Sequence, residues 1–216
     1  MVTKRPIVIG VGGFHSNSGK TTLMCDLLRM FPNWEAIKTT RGHYRSCGKD
    51  PHACCVSHLL TDHAIIHSGR EATYAPGKDT GRYWDAGAVN VHWIIATEEQ
   101  VELGIKDALA RVKAPGVFIE GNSFSEYVDV DAMFMLACND VRRIKKSAKI
   151  ALEKSTYLVI GDDSPGAELK CDHNEFISWL DSLDAFRVRS IPRITSSEAM
   201  PELVAEIQRL RARSTA

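Results

Sequence analysis

Short apolar runs and longer amphipathic stretches alternate along the chain. Runs rich in β-branched and aromatic residues predict strands, at residues 5–11, 34–40, 89–97, 115–121, 131–138, 156–163 and 186–191. Apolar side chains spaced three or four residues apart predict helices, at residues 19–31, 98–112, 142–154, 174–183 and 198–211. Residues 79–87 are predicted to form a short helix or turn.

Strands that alternate with helices are typical of α/β proteins. Right-handed crossovers between such strands give a mostly parallel sheet with helices on both faces. The length of 216 residues suits one domain, so we expect a single three-layer domain over residues 1–216. Ligands of open sheets bind at the carboxyl ends of the strands, and functional side chains are expected there.

Composition narrows the class of protein. Apolar residues make up 44% of the chain, and 27 basic residues balance 27 acidic ones. This charge balance argues against a nucleic-acid-binding protein, because such proteins are usually basic. No apolar run approaches the ~20 residues of a membrane-spanning helix, and no signal peptide is recognised. We therefore expect a cytoplasmic protein whose six cysteines are free thiols or metal ligands.

The sequence GVGGFHSNSGKTT, at residues 10–22, is typical of a phosphate-binding loop between a strand and a helix. Backbone N–H groups and the positive end of the helix would hold a phosphate. Lys20 would neutralise the β and γ phosphates and stabilise the transition state, and Thr21 would bind Mg²⁺. The candidate binding residues of this segment are Gly13, Ser16, Asn17, Ser18, Gly19, Lys20, Thr21 and Thr22.

The loop spacing differs from the common G-x-x-x-x-G-K-[ST] pattern. The residue five positions before Gly19 is Phe14, and the first glycine is Gly13, so the loop is one residue longer or shifted. An acidic partner is expected at the end of another strand. Glu120 follows an apolar run and would hold Mg²⁺ through water or position the attacking water, unless it simply faces solvent.

Four segments together resemble the molybdopterin-guanine dinucleotide biosynthesis protein B family. They read VIGVGGFHSNSGKTTL, AIKTT, APGKDTGRYWDAGAVNVHWI and VFIEG, and they lie in the family's order within residues 5–125. The resemblance implies a P-loop NTPase fold that binds GTP, often forms a homodimer and assists molybdenum cofactor maturation. A pterin-type cofactor and another maturation protein are the implied partners.

The resemblance also assigns roles by position. Lys20 and Thr21 would contact nucleotide and Mg²⁺, and Glu120 would lie near Mg²⁺. Asp79 and Arg82 would lie near the phosphates or a second ligand, in the same motif as Lys78. Lys38 follows the second strand, where the family has its own lysine. Asp79 or Glu120 would orient the attacking water.

Two features depart from the family. A guanine-reading N-K-x-D pattern is absent, so GTP and ATP are not separated; Asn139, which follows a predicted strand, is a candidate for reading a base edge. An insertion at about residues 43–75, after the second strand, is rich in cysteine and histidine. Tyr74, Tyr83 and Trp84, beside Tyr44, either pack in the core or stack on a planar ligand.

The insertion is a candidate metal site. If residues 53–68 form a helix, Cys54 and His58 share one face, as do His63 and His67. Cysteine and histidine together suit Zn²⁺ or Ni²⁺, and several thiolates suit an iron–sulfur cluster. The candidate ligands are Cys47, Cys54, Cys55 and His58. The same residues would also fit a loop that binds no metal.

Three functions follow from these patterns. The first is a nucleotide-binding protein of cofactor maturation that hydrolyses GTP or ATP slowly with Mg²⁺. The second is a metallochaperone in which nucleotide drives metal release from the insertion. The third is a small-molecule kinase or ATP-dependent ligase, which the longer loop allows.

Overall fold

A computed structural model describes residues 5–14, 18–42, 57–137, 144, 146–160, 173–183 and 186–215. Its strands are β1 (Ile7–Gly13), β2 (Glu35–Arg41), β3 (Ile65–Ser68), β4 (Asn90–Ala96), β5 (Gly116–Glu120), β6 (Ala132–Leu136), β7 (Tyr157–Ile160) and β8 (Arg193–Thr195). Its α-helices are α1 (Lys20–Met30), α2 (Arg70–Thr73), α3 (Asp79–Asp85), α4 (Val101–Arg111), α5 (Lys146–Glu153), α6 (His173–Ser182), α7 (Phe186–Arg189) and α8 (Ser196–Thr215). Single 3₁₀ turns cover Ser57–Leu59 and Ser123–Glu126.

The strands form one eight-stranded sheet in the order β3-β4-β2-β5-β1-β6-β7-β8. Neighbouring strands are parallel throughout, except that edge strand β3 runs antiparallel to β4. Every residue of β1, β5 and β6 is buried, which is typical of central strands covered on both faces. The prediction of a mostly parallel sheet flanked by helices is confirmed.

Two separate apolar clusters form the layers above and below the sheet. One joins the sheet to α1, α3 and α8, through buried side chains such as Leu27, Tyr83 and Leu203. The other joins it to α4, α5 and α6, through Ile105, Leu152 and Phe176 among others. None of the helices within the described residues is long and apolar enough to cross a bilayer.

Two local predictions are wrong. Residues 186–191 were predicted to form a strand, but Phe186–Arg189 is a short helix and β8 follows at Arg193–Thr195. Val188 of this helix is buried, and Ile191 is buried in the turn that follows it. The helix considered for residues 53–68 is also absent from its described part, which contains a 3₁₀ turn and strand β3.

A buried polar network lies at the amino ends of β2 and β4. Glu35 Oε1 accepts hydrogen bonds from the backbone N–H groups of Lys113 and Ala114 at 2.8 and 2.9 Å. Its Oε2 pairs with His92 Nε2 at 2.7 Å. Burial alone would raise the pKa of Glu35, but these hydrogen bonds outweigh it and the pKa is lowered. The network joins three segments and lies far along the strands from the cleft described below.

Candidate functional site

A cleft of about 1080 Å³ opens at the carboxyl ends of β1, β2 and β5. Because these strands are adjacent and parallel, the residues that follow each of them meet at one edge of the sheet. The cleft brings together most of the predicted site residues that the structure describes. They are Gly13, Ser18, Gly19, Lys20, Thr21, Thr22, Lys38, Lys78, Asp79, Arg82 and Glu120.

Helix α1 begins at the floor of this cleft. Its N-cap, Gly19, has φ +84°, a left-handed conformation that glycine adopts without steric cost. Ser18 is buried, and a Cβ on Gly13 would lie 2.1 Å from its Oγ, so the first predicted loop position has room only for glycine. Lys20 Nζ donates to the same Ser18 oxygen at 3.1 Å. The N-terminus of α1 therefore faces the cleft close to the end of β1.

Two carboxylates converge on the hydroxyl of Thr21. Thr21 Oγ1 lies 3.0 Å from Glu120 Oε2 and 3.1 Å from Asp79 Oδ1. Lys38 Nζ lies 2.7 Å from Asp79 Oδ2 and also contacts Glu120 Oε1. Four predicted site residues, from β2, β5, α1 and α3, thus form one acidic centre beside the start of α1.

The charges of the acidic centre stabilise one another. Burial disfavours the charge of Lys38, but Glu120 and Asp79 outweigh it and raise the pKa of Lys38. Burial likewise acts to raise the pKa of Asp79, but the hydrogen bond and charge of Lys38 lower it, with help from Thr21 and Arg82. Lys38 and Asp79 therefore keep their opposite charges near neutral pH.

Tyr83 is a member of this centre that the sequence did not reveal. Its side chain is fully buried, and its hydroxyl donates to Glu120 Oε2. Burial and the charge of Glu120 raise the pKa of Tyr83 well above its usual value, so the hydroxyl keeps its proton. A side chain with no exposed surface does not stack on a ligand; it holds the Glu120 carboxylate instead. Trp84, the next aromatic residue considered for stacking on a ligand, donates its indole N–H to Thr73 Oγ1 at 2.8 Å.

Asn122 is a second residue missed from the sequence. Its Oδ1 accepts from the Gly13 N–H at 3.0 Å, and its Nδ2 donates to the Gly13 carbonyl at 2.8 Å. This pair of bonds fixes the end of β1 to the segment after β5. The sequence signal that could have found it is an amide side chain placed two residues after Glu120. Gly121, between them, has φ +133°.

Positive charge predominates around the cleft. Its lining contains the two carboxylates of the acidic centre and five basic side chains, from Lys20, Lys38, Arg41, Lys78 and Arg82. Arg82 is exposed and its guanidinium lies 3.5 Å from Thr22 Oγ1. An excess of cations beside a helix N-terminus attracts anionic ligands.

Several predicted site residues lie outside the described residues. These are Ser16, Asn17, Cys47, Cys54, Cys55 and Asn139. His58 is described, and it is exposed in the 3₁₀ turn. Within the described segments no group of three or more His, Cys, Asp or Glu residues is arranged to hold a metal ion. The metal or cluster on the insertion stays a prediction.

His67 lies on a strand and not on the helix that was considered for residues 53–68. It lies on β3, paired in register with Trp93 of β4, and the two ring centroids are 5.7 Å apart. His67 and His63 therefore do not share a helical face.

A search of protein-family models finds no family that matches this chain, and a search of curated proteins finds no match. The family resemblance consequently depends on four segments of the sequence alone.

Proposed function

We propose that this chain is a P-loop nucleotide-binding protein that binds GTP or ATP with Mg²⁺, hydrolyses it slowly and acts in cofactor maturation. One observation carries the proposal. Lys20 and Thr21 open α1 at the carboxyl end of β1, and the Thr21 hydroxyl lies 3.0 Å from a carboxylate at the end of neighbouring β5. P-loop NTPases use this combination of lysine, hydroxyl and strand-terminal acid.

The cleft suits a triphosphate for three physical reasons. The first turn of α1 borders the cleft and lies at the positive end of the helix dipole. Lys20 Nζ lies at this end, where it contacts the Ser18 hydroxyl. The basic side chains around the cleft outnumber the acidic ones, so a polyanion gains favourable interactions on entering.

The acidic centre also suits Mg²⁺. Thr21, Asp79 and Glu120 offer only oxygen donors, which Mg²⁺ prefers to nitrogen or sulfur, and Mg²⁺ usually takes few protein ligands beside water and phosphate. When bound, Mg²⁺ would neutralise charge on the phosphates. Lys20 would neutralise the γ phosphate, and Asp79 or Glu120 would orient the attacking water.

The role in cofactor maturation rests on the resemblance. The segment containing Pro76 to Ala88 carries much of that resemblance, and it contributes Asp79 and Arg82 to the same cleft as Lys20. This proximity supports reading the segment as part of the nucleotide site. A pterin-type partner and a homodimer belong to the same proposal. No described contact favours the metallochaperone or the kinase and ligase alternatives.

Nucleotide binding by the Lys20→Ala variant tests the proposal. Calorimetric titration with GTP and with ATP, each with Mg²⁺, should give one site per wild-type chain and no measurable binding to the variant. Lys106→Ala is a matched control, because Lys106 lies on α4 and pairs with Glu102 on the surface. Equal binding by Lys20→Ala and wild type, with both folded by thermal melting, would overturn the proposal.

A further inference from the structure

Lys38 holds the position between the two carboxylates that the proposed nucleotide site needs for a cation. Its ammonium is 2.7 Å from Asp79 and contacts Glu120, while the Thr21 hydroxyl contacts the same two carboxylates. One of the two negative charges that would face Mg²⁺ is thus already balanced by a side chain of the protein.

The backbone of Lys38 is fixed, so only its side chain can exchange this position. Lys38 pairs in register with Glu120 on β5 and with Trp93 on β4, in the interior of the sheet. Its side chain is 18% exposed and borders the cleft. The flexible four-carbon stem of lysine can therefore swing the ammonium toward the cleft while the strand stays in place.

We propose that Lys38 is a built-in cation that occupies the acidic centre when nucleotide is absent and moves onto the phosphates when Mg²⁺ and nucleotide enter. This inference rests on the proposed function. An ammonium between Asp79 and Glu120 repels a divalent ion at short range. Nucleotide phosphates provide a second anionic partner for Lys38, and the carboxylates then become available to Mg²⁺.

Two consequences follow from this exchange. Divalent cations bind poorly to the nucleotide-free protein, because Lys38 competes for the same carboxylates. Nucleotide and Mg²⁺ also strengthen each other's binding beyond their direct contact, since the coupling between two ligands is reciprocal. A permanent ion pair, in which Lys38 never leaves the carboxylates, predicts the first consequence but not the second.

Titration of the nucleotide-free protein with Mn²⁺, followed by electron paramagnetic resonance of the free ion, tests the exchange. Lys38→Met removes the charge and keeps the apolar stem. We expect this variant to bind one Mn²⁺ per chain at least about tenfold more tightly than wild type, within the usual range of couplings between sites. Lys38→Arg keeps a cation and should resemble wild type, as should Lys106→Met, which removes a surface lysine of α4.

The results separate this inference from the proposed function. If wild type binds Mg²⁺-nucleotide but folded Lys38→Met binds Mn²⁺ no more tightly than wild type, the exchange is overturned and the proposed function stands. If wild type binds no nucleotide, both are overturned. Should Lys38→Met fail to fold, Lys38→Gln replaces it, because an amide keeps a hydrogen-bond donor for Asp79 and Glu120, and the same criterion applies.

Discussion

Replacing Asn122 by alanine should weaken nucleotide binding without any loss of a predicted ligand contact. The Asn122 amide makes two hydrogen bonds with the backbone of Gly13, at 3.0 and 2.8 Å. These bonds join the end of β1, where the proposed phosphate loop starts, to the segment that follows Glu120. Without them the loop must be ordered by the nucleotide itself, and that cost reduces affinity.

The size of the effect follows from the two bonds. A hydrogen bond contributes a net 0.5–1.5 kcal/mol, so the pair contributes about 1–3 kcal/mol to holding the loop. If this free energy must be supplied on binding, the affinity falls by roughly 5- to 150-fold. Asn122→Asp should bind nucleotide at least as weakly as Asn122→Ala does. The second carboxylate oxygen of the aspartate would face the Gly13 carbonyl oxygen, to which the Asn122 amide donates.

Calorimetry with Mg²⁺-nucleotide measures the affinity, and urea unfolding measures the stability of each variant. Asn90→Ala is the matched control. The Asn90 side chain also bonds to backbone, since its Oδ1 accepts from the Gly69 N–H at 3.1 Å, but it lies at the amino end of β4, away from the cleft. It should lose stability and keep its affinity. The reasoning fails if Asn122→Ala binds nucleotide as wild type does, or if Asn90→Ala loses affinity equally.

Two further predictions concern the buried groups. Tyr83→Phe removes a buried donor to a charged acceptor at constant ring volume, so urea unfolding should show a loss of about 1.5–3 kcal/mol; an unchanged midpoint would refute the role given to Tyr83. Glu35→Gln should lower the free energy of unfolding at pH 7 by about 1–2 kcal/mol, because the group that accepts from the Lys113 and Ala114 N–H groups is then uncharged. Because the folded pKa of Glu35 is depressed below 4.5, its charge stabilises the fold above that value and this stabilisation is lost as pH falls through the folded pKa. The difference between wild type and Glu35→Gln should therefore shrink when unfolding is repeated at pH 4 and below, and a constant difference would count against the account.

The sequence predicted elements whose signal is local. The apolar run of β1, the helical spacing of α1 and the acid that ends β5 are each legible within a few residues, and all three occur where expected. Parallel topology follows from their order, so the meeting of Thr21 and Glu120 at one edge was also predictable.

Long-range contacts and weak local signals were not predictable. Tyr83 and Asn122 act on residues 37 and 109 positions away, and their neighbours in the sequence do not indicate these contacts. Strand β3 has four half-buried residues and, among the described strands, pairs with β4 alone, so its pattern is faint within a segment rich in cysteine and histidine. At residues 186–191 the β-branched Val188 and Ile191 favoured a strand, but Val188 lies in a short helix and Ile191 in the turn after it.

A crystal structure of the protein with Mg²⁺ and a non-hydrolysable triphosphate nucleotide would test the central claim most directly. The account predicts phosphates against the first turn of α1, in contact with Lys20, and a metal ion beside Thr21 and Glu120. A nucleotide bound elsewhere, or none bound at saturating concentration, would contradict it.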